Sequence, residues 1–344
     1  MWPLIVPRDG TSAYPTIIDR TAAMPKAFVT GGAGFVGSNV VKRLVAAGYD
    51  TTVYDSFVVY IPLAPDREQF NYLSRLSDVY DKIQIIRGDT LNKDFLRRQL
   101  AKIKPDVIIH TASMPLAALA IEHTEEAFAS IVTSTLNILE VIRDFDHPCR
   151  LVFLSSSMVY GDFLEPMINE DHPKEPKDVY GAFKLAGETV VRAYARNYGV
   201  DLVVIRPSAV YGPYDANNRV IQKFIRSALN GEPLTLDGDG SLKMDFTHVS
   251  DSAQGITLAA IAPDATGNTF NITRGEARSL ADLVRVIRQH ISDVEVVHRE
   301  KPAYIPSRGA LDISRAKEIL GYVPAVTLED GVSGYIEHLR QNPF

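Results

Sequence analysis

Cysteine is almost absent from this chain. One residue in 344, Cys149, leaves no internal disulfide and no cysteine-rich metal site, and points to a reducing, cytoplasmic setting. Cys149 itself reads as a small residue ahead of a buried strand. Long apolar runs are missing too, since none approaches membrane-spanning length. Excess positive charge is also lacking. A net charge of −6, a pI near 5.8 and the lack of any long basic run exclude a nucleic-acid footprint. There is no internal repeat and no low-complexity tract. What remains, 46% hydrophobic and 23% charged, is a globular composition long enough for a core domain with an elaborated lobe.

Residues 1–25 carry four prolines and neither a helical nor a strand period. They read as an N-terminal extension, with Trp2 to Pro7 too short for a secretory core and Met24 available as a second start. From Ala27 to Pro207, apolar strand-like runs alternate with helical stretches. The expected strands are 27–30, 50–54, 83–87, 107–110, 150–155 and 201–206; the expected helices are 38–47, 92–102, 124–144 and 180–198. That alternation is the pattern of an α/β protein with a mostly parallel sheet covered on both faces. After residue 207 the pattern loosens into short strands and helices, including 220–230 and 280–290. Residues 26–207 are therefore expected to form a first domain, with return segments between 245 and 272 (246–249 and 269–272). Residues 208–344 mainly form a smaller second lobe.

A strand (Lys26 to Thr30) runs into Gly31-Gly32-Ala33-Gly34-Phe35-Val36-Gly37 and then a helix. A direct strand-to-helix turn needs a tight bend, and a pyrophosphate must approach backbone where a Cβ would collide. Amide groups at the start of that helix then hold the phosphates. Asp55 closes the second strand 18 residues beyond Gly37, where a carboxylate accepts hydrogen bonds from a ribose and repels a 2′-phosphate. The expected cofactor is therefore NAD. Asp89, after the third strand, is placed at the adenine edge. Thr111, Ala112 and Ser113 leave room for the middle of the cofactor. Ser56, Thr90, Pro207 and Ser208 complete the expected contacts. His110 reads as a structural histidine.

Tyr180 and Lys184 lie four residues apart and share one helix face. A tyrosine of ordinary pKa near 10 is a poor base, but an adjacent ammonium and a positive nicotinamide favour its phenolate. Lys184 can also reach the nicotinamide ribose. Ser156 ends an apolar strand at the same sheet edge and can bond the oxygen on which Tyr180 works, whereas Ser155 reads as a turn-satisfying serine.

Taken in order, these motifs resemble the extended short-chain dehydrogenase/reductase family, specifically its NAD-dependent sugar-nucleotide epimerases and dehydratases, of UDP-glucose 4-epimerase type. The likeness runs from about Pro25 to Val332. It rests on Thr30-Gly31-x-x-Gly34-x-x-Gly37, Asp55, Gly88-Asp89, Ser155 to Gly161, Tyr180-x-x-x-Lys184, Arg206 to Pro213, and Gly231 to Gly240. It implies a Rossmann-type doubly wound parallel sheet with a smaller α/β substrate-binding lobe, NAD as cofactor, and a nucleotide sugar as substrate. It also implies a homodimer through the helices at 124–144 and 180–198. Ser156, Tyr180 and Lys184 take the catalytic positions. Dehydratases carry an acidic pair after the serine, where this chain has Ser157-Met158, so the resemblance implies 4-epimerisation.

Substrate contacts are expected from Ser156, Ser157, Met158, Ala209, Lys243 and Lys301, with no metal. Departures from the family lie at Ala209 (commonly Asn), Met244 (commonly Arg) and Lys301-Pro302-Ala303-Tyr304 in place of Arg-Pro-Gly-Asp; Lys243, Lys301 or Arg308 are candidates to compensate. They keep two other readings open, an NAD-dependent dehydrogenase of a non-nucleotide sugar, polyol or sugar acid, and a catalytically silent dinucleotide-binding scaffold.

Overall fold

The computed structural model describes residues 24–58, 60, 72–302 and 305–342. Seven strands form one sheet: β1 (Lys26–Thr30), β2 (Asp50–Asp55), β3 (Ile83–Arg87), β4 (Val107–His110), β5 (Arg150–Leu154), β6 (Asp201–Pro207) and β7 (Thr269–Ile272). Their spatial order is β7-β6-β5-β4-β1-β2-β3, and every pair is parallel. Near-continuous apolar strands such as Val107–His110 can serve here because both faces of the sheet are covered.

Successive side chains on a strand point to opposite faces, and the two cores divide accordingly. Val29, Ile109, Val152 and Leu154 face the helices Phe35–Ala46 and Val249–Ile261. Their neighbours Phe28, Ile108, Leu151 and Phe153 face the helices Lys93–Ile103, Ser134–Ile142 and Val179–Tyr198. Sandwiching the sheet this way leaves the carboxyl ends of the strands as an open edge, where the glycine turn, Asp55, Ser113 and Ser156 gather.

A separate core is built by Ile221, Phe224, Leu234, Leu236, Leu283, Ile287, Val332 and Ile336. It joins the helices Val220–Leu229, Leu280–Arg288 and Leu328–Gln341 to the parallel pair Leu234–Asp237 and Val296–Arg299. Leu280–Arg288 starts at a capping box, Ser279 with Asp282.

Three expectations need correction. Residues 269–272 do enter the main sheet, beside β6, but 246–249 do not. Thr247–His248 instead pairs with Val210–Tyr211 in a two-stranded sheet of its own. The carboxylate of Asp245 holds this segment elsewhere by accepting the N–H groups of Arg274, Gly275 and Leu311. The stretch 124–144 is not one regular helix. It is Thr124–Phe128 and Ser134–Ile142 joined by a π turn at Ala129–Thr133, where Ser134 and Thr135 donate back to Ser130 and Ile131 carbonyls at 2.5 Å. Finally, Ile313, Ala316, Leu320 and Tyr322, far beyond residue 208, pack into the first core. Residues 1–23, 303 and 304 lie outside the described residues. Among those described, no helix is long and apolar enough to cross a membrane.

Candidate active site

The glycine turn closes tightly on itself. Gly31 adopts φ +67°, and a Cβ there would stand 2.7 Å from the Ala112 nitrogen. A Cβ on Gly37 would meet the Gly31 carbonyl oxygen at 2.1 Å. Helix Phe35–Ala46 therefore begins hard against the end of β1. Its N-cap, Gly34, offers no side-chain acceptor, so the first-turn N–H groups at Phe35 and Val36 face the cleft without a side-chain partner. Those are the conditions a pyrophosphate requires.

At the tip of β2, Asp55 accepts the Ala33 N–H at 2.9 Å and the Phe57 N–H at 2.8 Å. Burial pushes its carboxyl pKa up, against those two bonds and the Arg75 charge. The carboxylate is thus fixed in the cleft wall with lone pairs left for ribose hydroxyls. Asp89 lines the same end; one carboxylate oxygen accepts the Leu91 N–H at 2.8 Å. The residues present fit a dinucleotide without a 2′-phosphate.

The cleft has a volume of about 580 Å³ and draws its walls from both cores. Gly31, Gly34, Phe35, Val36, Gly37, Asp55, Ser56, Asp89, Thr90, Thr111, Ala112, Ser113 and Pro207 all line it, as do Ser156, Ser157, Met158, Tyr180, Lys184 and Ala209. Three expected residues do not. Ser208 is buried away from the cleft, Lys243 is exposed on an edge strand, and Lys301 lies beside Gly238. His110 is structural: its ring nitrogens lie 2.8 Å from Thr30 Oγ1 and 3.2 Å from Thr135 Oγ1.

Ser156, Tyr180 and Lys184 meet at the far end of the cleft. Ser156 Oγ accepts the Met158 N–H at 3.1 Å, and its hydroxyl is one of the groups that lower the Tyr180 phenol. Lys184, 3% exposed, donates to Ser113 Oγ at 3.1 Å and to the Leu154 carbonyl at 2.8 Å. Its ammonium lies 5.8 Å from the Tyr180 ring centroid. Burial lowers the lysine pKa to about 7, while Glu188, one turn along the same helix, pulls it back up.

The expectation that Lys184 acidifies Tyr180 is not met by the groups of the chain itself. Burial raises the phenol, and the groups that lower it are Arg219 and Ser156. Arg219, a residue no motif marked, reaches the cleft from the loop after residue 212 and is held by Asp215 at 2.7 Å. Ser155 also differs from expectation, donating to the carboxylate of Glu188 at 2.6 Å and not to turn backbone. Glu188 in turn forms a buried two-point ion pair with Arg206, at 2.8 and 2.6 Å. A hint was present in the sequence, since Glu188 falls four residues after Lys184. Arg308, the third candidate to compensate the family departures, does line the cleft. Among the described residues no cluster of metal-binding side chains occurs.

A parallel doubly wound sheet, a glycine turn against a helix start and a Ser–Tyr–Lys set define a nicotinamide-dependent enzyme site of the extended short-chain dehydrogenase/reductase kind. More narrowly, residues 27–273 match the NAD dependent epimerase/dehydratase family, and the chain belongs to it. Its cofactor is NAD. YtcB of Bacillus subtilis, an uncharacterised UDP-glucose epimerase, is 30% identical over 320 residues, covering 91% of this chain and 98% of that one. A dTDP-glucose 4,6-dehydratase of Xanthomonas campestris pv. campestris is 30% identical over 325 residues, covering 89% and 90%. Among solved structures, UDP-glucuronic acid 4-epimerase from Bacillus cereus, in complex with UDP-glucuronic acid and NAD, superposes with a TM-score of 0.84 at 27% identity, over 92% of this chain and 99% of that one. The protein is an NAD-dependent nucleotide-sugar epimerase or dehydratase.

Proposed function

We propose that the reaction is 4-epimerisation of a nucleoside-diphosphate sugar, with the first core holding NAD and the second closing over the sugar nucleotide. The observation that carries this reading is the wall beside Ser156. Ser157 and Met158 follow it into the cleft, and neither can act as the acid that a dehydration needs. The remaining machinery, Ser156, Tyr180 and Lys184, is what reversible oxidation of a hydroxyl requires.

In this reading Tyr180, as phenolate, takes the proton of the sugar 4-hydroxyl, and Ser156, which lines the cleft with it, orients that hydroxyl. Bound NAD supplies the hydride acceptor and donor and a positive ring beside the phenol. Lys184, tied to Leu154 and Ser113, holds its amine behind the tyrosine, and Arg219 supplies charge within the chain that favours phenolate. Tyr180 returns the proton after the 4-keto sugar has presented its other face. Phe128, Leu136 and Tyr198, exposed on the helices flanking the site, support a homodimer through that face, which sedimentation would test.

The decisive experiment follows epimers by NMR and NADH by absorbance with a panel of nucleotide sugars and free sugars. A 4-epimer at constant NADH is expected, and Tyr180→Phe should lower its rate by about 10²- to 10⁴-fold. Net NADH from a free sugar would establish the dehydrogenase reading, to which the apolar Met244 and Ala209 in the cleft wall lend support. An unchanged rate in Tyr180→Phe would refute the mechanism.

A further inference from the structure

The two lobes meet across the cleft, and one buried arginine joins them. Arg75, 3% exposed, sits in the short helical turn Tyr72–Leu76, whose Leu76 packs into the first core. Its Nη1 donates to the Ala33 carbonyl at 3.1 Å, inside the glycine turn. Its Nε and Nη2 donate together to the Tyr214 carbonyl, at 3.1 and 2.8 Å. Tyr214 belongs to the second lobe, in the loop between the strand Val210–Tyr211 and the helix Val220–Leu229. A guanidinium can bridge these carbonyls because its planar fork holds its donors in fixed directions.

The loop needs such a hold. Tyr214 (φ +66°) and Asn218 (φ +52°) both take the left-handed conformation that side chains disfavour. Its own lobe secures the loop through Gln222, which donates to the Asp215 carbonyl and accepts the Asn218 N–H at 2.7 Å. The side toward the glycine turn is secured by Arg75.

What the loop carries is Arg219. Its guanidinium is paired with Asp215 at 2.7 Å, donates to the Pro115 carbonyl at 3.3 Å and lies 5.8 Å from the Phe35 ring centroid. Pro115 follows Met114, whose side chain packs in one cluster with Tyr180. Arg219 thereby reaches from the start of helix Phe35–Ala46 to the reacting end of the cleft. The charged groups that face Tyr180 or line the cleft there are Lys184 and Asp178 from its own helix and cap, Glu126 from Thr124–Phe128, Arg308 and Arg219. Burial raises the phenol, and of these charges Arg219 is the one that lowers it most. Ala33 also donates its N–H to Asp55, so one chain of bonds runs from Asp55 through Ala33 and Arg75 to the loop that bears Arg219.

We propose that Arg75 is a positioning residue for catalysis: it docks the loop of residues 212–219 on the glycine turn and so sets Arg219 beside Tyr180, which leaves the base complete only while the two lobes are joined. The inference rests on Tyr180 being the base in the reading above. The test titrates the Tyr180 phenol in the NAD-loaded protein by ultraviolet difference absorbance, each variant being measured against the same variant carrying Tyr180→Phe. Products from UDP-glucose and UDP-glucuronate are followed separately by NMR. Arg219→Gln should raise the titration midpoint by about one pH unit, and Arg75→Gln should raise it by at least about half a unit. Because the two residues act in series, the double variant should move it no further than Arg219→Gln alone. Arg75→Lys keeps the charge without the fork and should fall between wild type and Arg75→Gln.

An Arg75→Gln protein that melts lower but titrates as wild type would make Arg75 structural only and overturn the inference. Additive shifts overturn it too, since Arg75 would then act without Arg219, and so does an unmoved midpoint in Arg219→Gln. The expected shifts in a protein that forms a dehydrated or oxidised sugar in place of the epimer sustain the positioning role and overturn the epimerase reading. A wild-type Tyr180 that does not titrate before the protein unfolds in alkali overturns both. Should Arg75→Gln not fold, Arg75→Lys, alone and combined with Arg219→Gln, still decides.

Discussion

Replacing Glu188 with glutamine should destabilise this protein by about 3–5 kcal/mol, the range for breaking a buried ion pair by removing one charge. Glu188 is 2% exposed and accepts from Arg206 Nε at 2.8 Å, Arg206 Nη2 at 2.6 Å and Ser155 Oγ at 2.6 Å. Burial alone would raise its pKa, but Arg206, Ser155 and Arg192 outweigh it and hold the carboxyl below its usual range. Glutamine keeps the shape and one acceptor oxygen. Its amide nitrogen, however, must face Arg206 Nη2, donor against donor, and the guanidinium stays buried without a counter-charge. At roughly 2–4 °C per kcal/mol for domains of about 200 residues, the melting temperature should fall by about 6–20 °C.

The sign with pH follows from the lowered pKa. The contribution of Glu188 is present above the ordinary carboxyl pKa and is lost as pH falls through the folded value. The gap between wild type and variant is therefore full at pH 7 and narrows in acid. Calorimetry at pH 7 and pH 3 reads both effects, and a Glu188→Leu, Arg206→Met double variant should recover much of the loss because no fully buried charge is left unpaired. A melting temperature within 2 °C of wild type for Glu188→Gln, or a double variant as damaged as the sum of its singles, would refute this account. Because Ser155 adjoins Ser156 and Lys184 lies one turn from Glu188, the variant should also lower kcat more than it raises KM.

Other consequences are separately measurable. Gly37→Ala places a Cβ 2.1 Å from a backbone oxygen that cannot yield, so NAD affinity should fall by more than about 100-fold; Gly199→Ala, with open space at φ +68°, should lose only about 1 kcal/mol and keep NAD, as cofactor fluorescence titration would show. Ala209 sits at φ +38°, so Ala209→Gly should stabilise by up to about 1 kcal/mol in urea unfolding, and a loss there would contradict the strain argument. For Lys184 the folded pKa near 7 lies below its ordinary 10.5, so the penalty of a buried ammonium is complete below pH 7 and fades as pH rises. Relative to Lys184→Met, wild-type stability should therefore climb by about 1.4 kcal/mol per pH unit between pH 7 and 9, and a flat difference would count against it.

Much of the architecture was legible because its signals are local. Apolar runs such as Val107 to His110, separated by helical periods, can be stable in few ways other than a covered parallel sheet. Gly31, Gly34 and Gly37 announce their turn because any side chain there would strike neighbouring backbone. Asp55, Ser156, Tyr180 and Lys184 were placed together because each lies at the same end of a strand or on one helix face. Less visible was the segment 246–249, whose fate depends on three backbone N–H groups, from residues 274, 275 and 311, converging on Asp245.

By itself the sequence determined the strand-and-helix order, the dinucleotide turn and the Ser–Tyr–Lys set, since all three follow from spacing along a single element. Only the tertiary structure decided that Arg308 and Arg219 enter the cleft while Lys243, Lys301 and Ser208 do not, and that Tyr180 is governed by burial, Arg219 and Ser156 within the chain. The physical reason is range: periodicity and turn chemistry act over a few residues, whereas electrostatic fields and desolvation act between groups that the chain brings together from 150 residues away.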